Sequence, residues 1–186
     1  MKKLVSLLPI IFFAVGTATA GIPSNFFAVR DELVLRHAVL GGSEDKDEQK
    51  QDKAVVKGIA MINDVSDLAD DIKISFKLGK LLAKAFPDEF EAAVSNNLYA
   101  LMLEGYNNIG ESLSDRLDDL EVLVNMLPVG KDREKAEAAY EDALDELEAA
   151  AYFFQQEDYQ ETTKRFSACL KNIEKALKII AKAMPV

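Results

Sequence analysis

The apolar positions between Lys53 and Leu127 recur at helical spacing and predict two long helices folded back on each other. The stripe of the first helix consists of Val55, Ile59, Ile62, Ala69, Ile72, Phe76, Ala83 and Phe86. The stripe of the second consists of Leu98, Leu101, Gly105, Ile109, Leu113, Leu117, Leu120, Val124 and Leu127. The second stripe repeats about every 3.6 residues, which favours a straight helix in a bundle over a supercoiled seam.

The turn of this hairpin is predicted at Phe86–Asp88. Pro87 has no backbone N–H and disfavours the helical conformation of Phe86, so the first helix is expected to end there. Asp88, with Glu91 three residues later, has the spacing of a capping box and is expected to cap the second helix.

Both arms of the hairpin are expected to be continuous. The second stripe keeps its phase through residues 107–110, and at ~1.5 Å per residue each arm would be roughly 50–60 Å long. Four glycines inside the arms indicate either close helix approach or a hinge or ligand groove: Gly58, Gly79, Gly105 and Gly110.

A short amphipathic helix is predicted before the hairpin, over Asn25–Leu40. Ser24 or Asn25 is its expected cap, and Gly41-Gly42 should stop it. The charged run from Ser43 to Lys53 is interpreted as the start of the hairpin's first helix, with Ser43 as the cap, or as a flexible joint.

The chain after Leu127 predicts a second hairpin. Leu127–Gly130 is a turn, and Asp132 opens a helix rich in alanine, glutamate and leucine. Its stripe, Tyr140, Leu144, Leu147, Ala151 and Phe154, lies about 120° from the next one, which consists of Phe166, Leu170, Ile173, Leu177, Ile180 and Met184. Asp158 and Glu161 have capping-box spacing. We therefore expect two helices of about 25 residues joined near Asp158; the alternative is one continuous helix.

The second hairpin has a local likeness to a known family. Gln155–Tyr159, followed by Phe166, Cys169 and Leu170, resembles the inter-helix turn and second helix of a tetratricopeptide repeat. The resemblance covers one repeat at most, because Thr162 stands where that family prefers alanine and no second copy is visible. It implies a helical hairpin, a form that many proteins share.

The first 20 residues have the pattern of a secretory signal peptide. Lys2 and Lys3 precede the apolar run Leu4–Val15, and Ala18 and Ala20 form a small-x-small cleavage site before Gly21. The sequence therefore predicts cleavage after Ala20 and a periplasmic or secreted protein, the alternative being an uncleaved membrane anchor. Over 21–186 we expect one all-α domain, an antiparallel bundle of about five helices built from the two hairpins.

Charge is distributed unevenly in this chain of formal net charge −10. Residues 88–161 carry 20 acidic and 4 basic side chains, whereas residues 162–186 carry 1 acidic and 6 basic ones. The basic last helix is expected either to lie along acidic neighbours of its own chain or to bind a partner through Lys171, Lys175, Lys178 and Lys182. Nucleic acid is not an expected partner of so acidic a protein.

The sequence offers little catalytic chemistry. His37 is the one histidine and is expected at the surface or at a helix end, and Cys169 is expected in the core, the alternative being a reactive or intermolecular thiol. Phosphate loops, haem motifs and the Glu-x-x-His pairs of di-iron bundles are absent, so no cofactor or metal is predicted. Two acidic rows are interpreted as solvated helix faces rather than cation sites: Asp64, Asp67 and Asp71, and Glu111, Asp115, Asp118 and Asp119.

These observations favour a non-enzymatic interaction or scaffolding protein, with another protein of the cell envelope as the expected partner. The alternative function is carriage of a small apolar ligand or lipid in a cavity between helices. That cavity would be lined by aromatic side chains, with Tyr99, Tyr106, Tyr140 and Phe154 as candidates. At helical spacing such residues also suit an ordinary core.

Overall fold

The computed structural model describes residues 26–91 and 97–184. In these residues the chain is all-α, as predicted, and forms seven helices with antiparallel packing, six of them long. They are α1 (Phe26–Leu40), α2 (Lys46–Asn63), α3 (Leu68–Ala85), α4 (Pro87–Glu91), α5 (Asn97–Met126), α6 (Lys131–Gln155) and α7 (Tyr159–Ala183). The predicted signal peptide and the expected caps Ser24 and Asn25 lie outside the described residues. None of the described helices combines the length and apolarity needed to cross a membrane.

The chain divides into two compact units, and the boundary falls between Ile109 and Gly110, inside α5. The described residues up to Ile109 are called the N-terminal unit below, and those from Gly110 the C-terminal unit. Whether residues 21–186 form a single domain, as predicted from length, stays a prediction.

The core of the N-terminal unit combines side chains from α1, α2, α3 and the first turns of α5. Its buried members are Phe26, Val29, Leu33, Val55, Ile62, Leu78, Leu82, Phe86, Leu98 and Met102. Gly58 lies where these helices meet, because a Cβ atom there would sit 3.0 Å from Cδ1 of both Leu33 and Leu78. This confirms close helix approach as the role of Gly58.

The predicted α1 is confirmed, and Gly41 and Gly42 end it. The N–H of Gly41 donates to the carbonyl of His37, and Gly42 has φ 92°, a left-handed conformation that glycine adopts without strain. The expected amphipathic character is only partly correct. Besides the buried Val29 and Leu33, α1 exposes large apolar side chains: Phe27, Val34, Leu35 and Val39.

The prediction of one long first arm is wrong, because the chain breaks between α2 and α3. Asp64 ends α2, and Asp67 caps α3 by accepting a hydrogen bond from the N–H of Asp70 at 2.9 Å. The cap supplies a partner for one of the backbone donors that a helix start leaves unpaired, so the break needs neither proline nor glycine. The buried face of α3 follows from the new start: Leu68, Asp71, Ile72, Ser75, Leu78 and Leu82.

Two predicted caps are wrong. Asp45, not Ser43, caps α2 and accepts from the N–H groups of Asp47 and Glu48, while Ser43 accepts from the N–H of Asp45. Asp88 does not begin the long helix but lies in the first turn of the short α4, which starts at Pro87. Proline fits that first position because its missing N–H would have no partner there in any case.

The predicted second arm is confirmed from Asn97 onward. α5 has 30 residues and runs unbroken through Asn107 and Gly110. Seven residues of its predicted stripe are buried, namely Leu98, Gly105, Ile109, Leu113, Leu117, Leu120 and Val124, and Leu127 is buried just after the helix.

The C-terminal unit contains the second half of α5 together with α6 and α7. The turn predicted at Leu127–Gly130 is confirmed, and Arg133 fastens it by donating to the side chain of Asn125 and to the carbonyl of Leu127. α6 buries mainly small side chains, namely Ala136, Ala139, Ala143, Leu147 and Ala150. Because alanine is short, these positions allow the neighbouring helices to approach closely.

Candidate functional site

A tight turn at Gln156–Asp158 joins α6 and α7, which have 25 residues each. Glu157 has φ 58°, and Asp158 caps α7 by accepting a hydrogen bond from the N–H of Glu161 at 3.0 Å. The hydroxyl of the buried Thr162 donates to the carbonyl of Asp158 at 2.8 Å. The predicted hairpin and its cap are therefore confirmed, and the alternative of one continuous helix is wrong.

Arg165 of α7 holds the two helices together near this turn. Its guanidinium donates to Glu146 of α6 at 3.1 Å and lies 5.7 Å from the ring centroid of Phe153. A planar, always charged guanidinium suits this double role, since it bonds a carboxylate and packs on an aromatic face at once. The position of α7 on α6 is thus fixed by polar contacts as well as by the apolar side.

α7 has one buried face and one lysine-bearing face. The buried face consists of Thr162, Phe166, Cys169, Leu170, Ile173, Ala176 and Ile180. The second face consists of the four lysines singled out in the sequence, all of them exposed: Lys171, Lys175, Lys178 and Lys182. At 3.6 residues per turn these lysines fall within about 60° of one another and about 180° from the buried face. We call them the α7 lysine row; it is about 16 Å long.

Ion pairing within the chain uses only part of this row. Lys175 Nζ lies 3.6 Å from Oδ2 of Asp142 on α6. Within the described part of the chain, Lys171, Lys178 and Lys182 form no ion pair. The expectation that α7 lies along acidic neighbours of its own chain therefore holds for Lys175 and for Arg165, but not for the other three lysines.

Two further lysine rows were missed in the sequence, although their spacing is readable there. α2 carries Lys46, Lys50, Lys53 and Lys57, and α3 carries Lys73, Lys77, Lys80 and Lys84. Both repeat the spacing of the α7 row, which is i, i+4, i+7, i+11, and all eight side chains are exposed. They were not noticed because residues 21–87 are nearly neutral overall, with 10 basic and 11 acidic residues.

The first acidic row is not a helix face, and that prediction is wrong. Asp64 lies at the end of α2, Asp67 caps α3, and Asp71 is fully buried with Ser75, whose hydroxyl donates to it at 3.3 Å. In the second row Asp115, Asp118 and Asp119 are exposed, as expected. Glu111 is half-buried, and this burial, together with the nearby Asp115, raises its pKa. In the described ranges no three acidic, histidine or cysteine side chains are placed to hold a metal ion.

His37 and Cys169 lie where the sequence predicted. The half-exposed His37 ring places Nδ1 2.6 Å from Oδ1 of Asp52, which joins the end of α1 to α2. Cys169 is fully buried among the apolar side chains of α7. Desolvation raises the pKa of its thiol to about 12, and the charge of Glu146 adds to this effect. A reactive thiol needs the opposite, a lowered pKa and access to solvent.

The four aromatic candidates for a ligand cavity are distributed over both units. Tyr99 packs edge-to-face on Phe90 at 5.8 Å, and Tyr106 is buried, both in the N-terminal unit. Tyr140 and Phe154 belong to the C-terminal unit, where Phe154 packs on the ring of Tyr159 at 6.0 Å. Burial raises the pKa of Tyr140, and the charges of Glu121 and Asp118 raise it further. None of the four lines the cleft beside Ala54 and Leu81, the cleft beside Leu40 and Phe86, or the cleft beside Ala28 and Ala100.

No family model, curated protein or solved structure matches this chain.

Proposed function

We propose that this protein is a non-enzymatic interaction or scaffolding protein of the periplasm or of the secreted compartment. Its α7 lysine row binds an acidic surface of another protein of the cell envelope. The support for this proposal is a row of exposed lysines, three of which have no carboxylate partner in the described residues. The chain has ten more acidic than basic side chains, so this row is a positively charged patch on a protein that is acidic overall.

The shape of the row favours a protein surface over a small ligand. Lysines on a convex helix face lie in a line and do not converge, so they match a row of carboxylates better than a single anion. Oppositely charged surfaces increase association rates and exclude partners of the wrong charge, even where each pair contributes little affinity. The contact should therefore weaken steeply as the salt concentration rises.

The test replaces all four lysines of the α7 row with glutamine. Since these side chains are exposed and three are unpaired, the melting temperature should stay nearly unchanged. Capture of partners from an envelope extract should be lost. The matched control replaces Lys73, Lys77, Lys80 and Lys84 of α3 with glutamine, which removes the same charge at the same spacing from another helix.

The control separates a specific contact from a general effect of charge. If the α3 control variant loses the same partners as the α7 variant, only net charge is being measured and the proposal fails. It also fails if the α7 variant recovers the same proteins as wild type but melts at a clearly lower temperature. That result would assign the lysines to contacts within the chain.

Secretion is proposed from the sequence of residues 1–20, and the mature protein would begin at Gly21 as one helical bundle domain. Intact-mass measurement of protein from a periplasmic fraction tests this directly. A mass that includes Met1, found in the membrane fraction, would overturn both the compartment and the expected class of partner.

A further inference from the structure

A cleft of about 670 Å³ lies between the first half of α2 and the end of α3. Its apolar lining consists of Ala54, Leu81, Ala85 and Pro87, and four lysines also line it: Lys50, Lys53, Lys57 and Lys84. Gln51 ties the two helices together, because its side-chain amide donates to the carbonyl of Ala85 at 3.2 Å. The volume lies in the range of about 300–1,000 Å³ that small-molecule sites occupy.

The charge around this cleft is largely uncompensated. Lys50 Nζ lies 2.7 Å from Oδ1 of Asp47, the one acidic residue that lines the cleft. Lys53, Lys57 and Lys84 are exposed, and none forms an ion pair with any residue that the structure describes. Three positive charges therefore stand beside an apolar floor. Like charges at such a site repel one another, and a bound anion would relieve that repulsion.

The combination of an apolar lining and exposed lysines restricts the class of ligand that the cleft can bind. An inorganic anion would leave the apolar floor without a partner, and a neutral hydrocarbon would leave the lysines without one. A protein helix fits poorly, because ten residues line the cleft whereas stable protein interfaces use about 20–30 on each side. Lysine suits a mixed site, since its methylene stem packs on apolar surface while the ammonium stays in water.

We propose that this cleft binds a single-chain anionic amphiphile. The acyl chain would lie on Ala54, Leu81 and Ala85, and the anionic head would lie between the ammonium groups of Lys53, Lys57 and Lys84. This site lies within the N-terminal unit and shares no residue with the α7 lysine row, which belongs to the C-terminal unit. Loss of one activity would therefore leave the other in place.

Titration calorimetry on the full mature chain tests the ligand class with three probes. Decanoate carries both the charge and the chain, 1-decanol carries the chain alone, and butyrate carries the charge on a short chain. We expect saturable binding of one decanoate per chain, and at least tenfold weaker binding of the other two. Absence of decanoate binding, or equal affinity for decanol or for butyrate, would overturn the proposal.

Variants locate the site. Lys53→Gln, Lys57→Gln and Lys84→Gln combined should weaken decanoate binding by about tenfold, since each exposed charge contributes modestly. The matched control combines Lys73→Gln, Lys77→Gln and Lys80→Gln, which removes three α3 lysines that do not line the cleft and should leave the affinity unchanged. Equal weakening in both triple variants would mean attraction to overall charge only, and would refute the site.

A third measurement reports on the acyl chain. In amide NMR spectra, decanoate should shift the signals of Ala54, Leu81 and Ala85 and leave that of Lys77 in place. Leu81→Asn should weaken decanoate binding without changing the fold, because Leu81 is only partly buried. If the shifts cluster elsewhere, or if Leu81→Asn binds decanoate as tightly as wild type, the acyl chain does not lie in this cleft.

Discussion

The guanidinium of Arg36 lies over the ring of Phe86, 4.9 Å from its centroid. The same side chain donates to Glu89 of α4 and, at 2.8 Å, to Glu32 one turn earlier on α1. Burial lowers the pKa of Arg36, but its hydrogen bonds with Glu89 and Glu32 outweigh this and hold the pKa above its ordinary value. One residue thus connects α1 to the junction of α3 and α4, where Phe86 follows α3 and Pro87 begins α4.

We expect Arg36→Met to lower the free energy of unfolding by about 1–3 kcal/mol, because hydrogen bonds to charged groups are among the stronger ones. The partly buried Glu89 would lose its cationic partner, and its Oε2 already has no hydrogen bond in the described residues. Urea unfolding measures the change. Arg36→Lys is the control and should recover only part of the loss, since lysine keeps the charge but cannot form the planar contact with Phe86. Unchanged stability of Arg36→Met would contradict this role.

Gly58→Ala should lower the stability of the protein, whereas Gly79→Ala should leave it unchanged or raise it. In a helix interior alanine is favoured over glycine by about 1 kcal/mol. At Gly58 the new methyl would press on Leu33 and Leu78 at 3.0 Å, and overpacking of this kind typically costs about 1–3 kcal/mol, so a net loss is expected. At Gly79 the nearest atom is Cε of Met102 at 3.4 Å, the end of a flexible chain. Thermal melts should therefore show Gly79→Ala neutral or stabilised. A stabilised Gly58→Ala would mean that the helices separate easily.

Asp158→Ala should cost about 0.5–2 kcal/mol through loss of the cap on α7. The side chain of Asp158 accepts from the N–H of Glu161, and alanine cannot. Asp158→Asn is the matched control, because asparagine caps helices about as well and should retain nearly all of the stability. The comparison by chemical denaturation is decisive: equal losses in both variants would assign the effect to charge rather than to the cap.

The buried thiol predicts a loss of stability in alkali. Below the ordinary thiol pKa of 9.0 both the folded and unfolded chains keep the proton of Cys169, so its contribution to stability is complete. Between that value and about 12 the unfolded chain releases the proton while the folded chain retains it. The free energy of unfolding should therefore fall by up to about 1.4 kcal/mol per pH unit.

Cys169→Ala isolates this contribution, since it lacks the thiol and all other groups titrate equally. Between pH 9 and pH 10.5 wild type should lose more stability than the variant. Thiol reagents at pH 8 should react with wild type only after unfolding. Parallel pH profiles for the two proteins, or fast labelling of the folded chain, would refute the buried, neutral thiol.

Helical periodicity identified most of the secondary structure but not the break between α2 and α3. The apolar stripe shifts by about 80° from Ile62 to Ile72, a drift small enough that spacing alone favoured one helix. The interruption depends on the local cap of Asp67, whose side chain accepts a hydrogen bond from the backbone N–H of Asp70. Asp158 was recognised because the stripes there also jump by about 120°. A large shift of the apolar phase thus reveals a helix break, whereas a smaller shift can be mistaken for the drift of one long helix.

The candidate sites depend on tertiary contacts that spacing cannot supply. The α7 lysine row lies opposite Ile173 and the other apolar positions of the helix, so its exposure could be predicted from the sequence. The pairing of Lys175 with Asp142 could not be predicted, because it depends on how α6 and α7 pack. The α2–α3 cleft could not be predicted for a similar reason. Lys53 and Lys84 line the same cleft only because the chain turns back at Asp64–Asp67.

The alanine-rich face of α6 bears on how quickly the C-terminal unit can form. Buried alanines lose no side-chain rotamer entropy, and alanine has the highest helix propensity of the amino acids. The partners of α6 in α7 follow directly in sequence after a short turn, so closing this hairpin requires only short loops. Chains dominated by such local contacts fold rapidly. We therefore expect the α6–α7 hairpin to form before the N-terminal unit, whose core joins Phe26 to Met102.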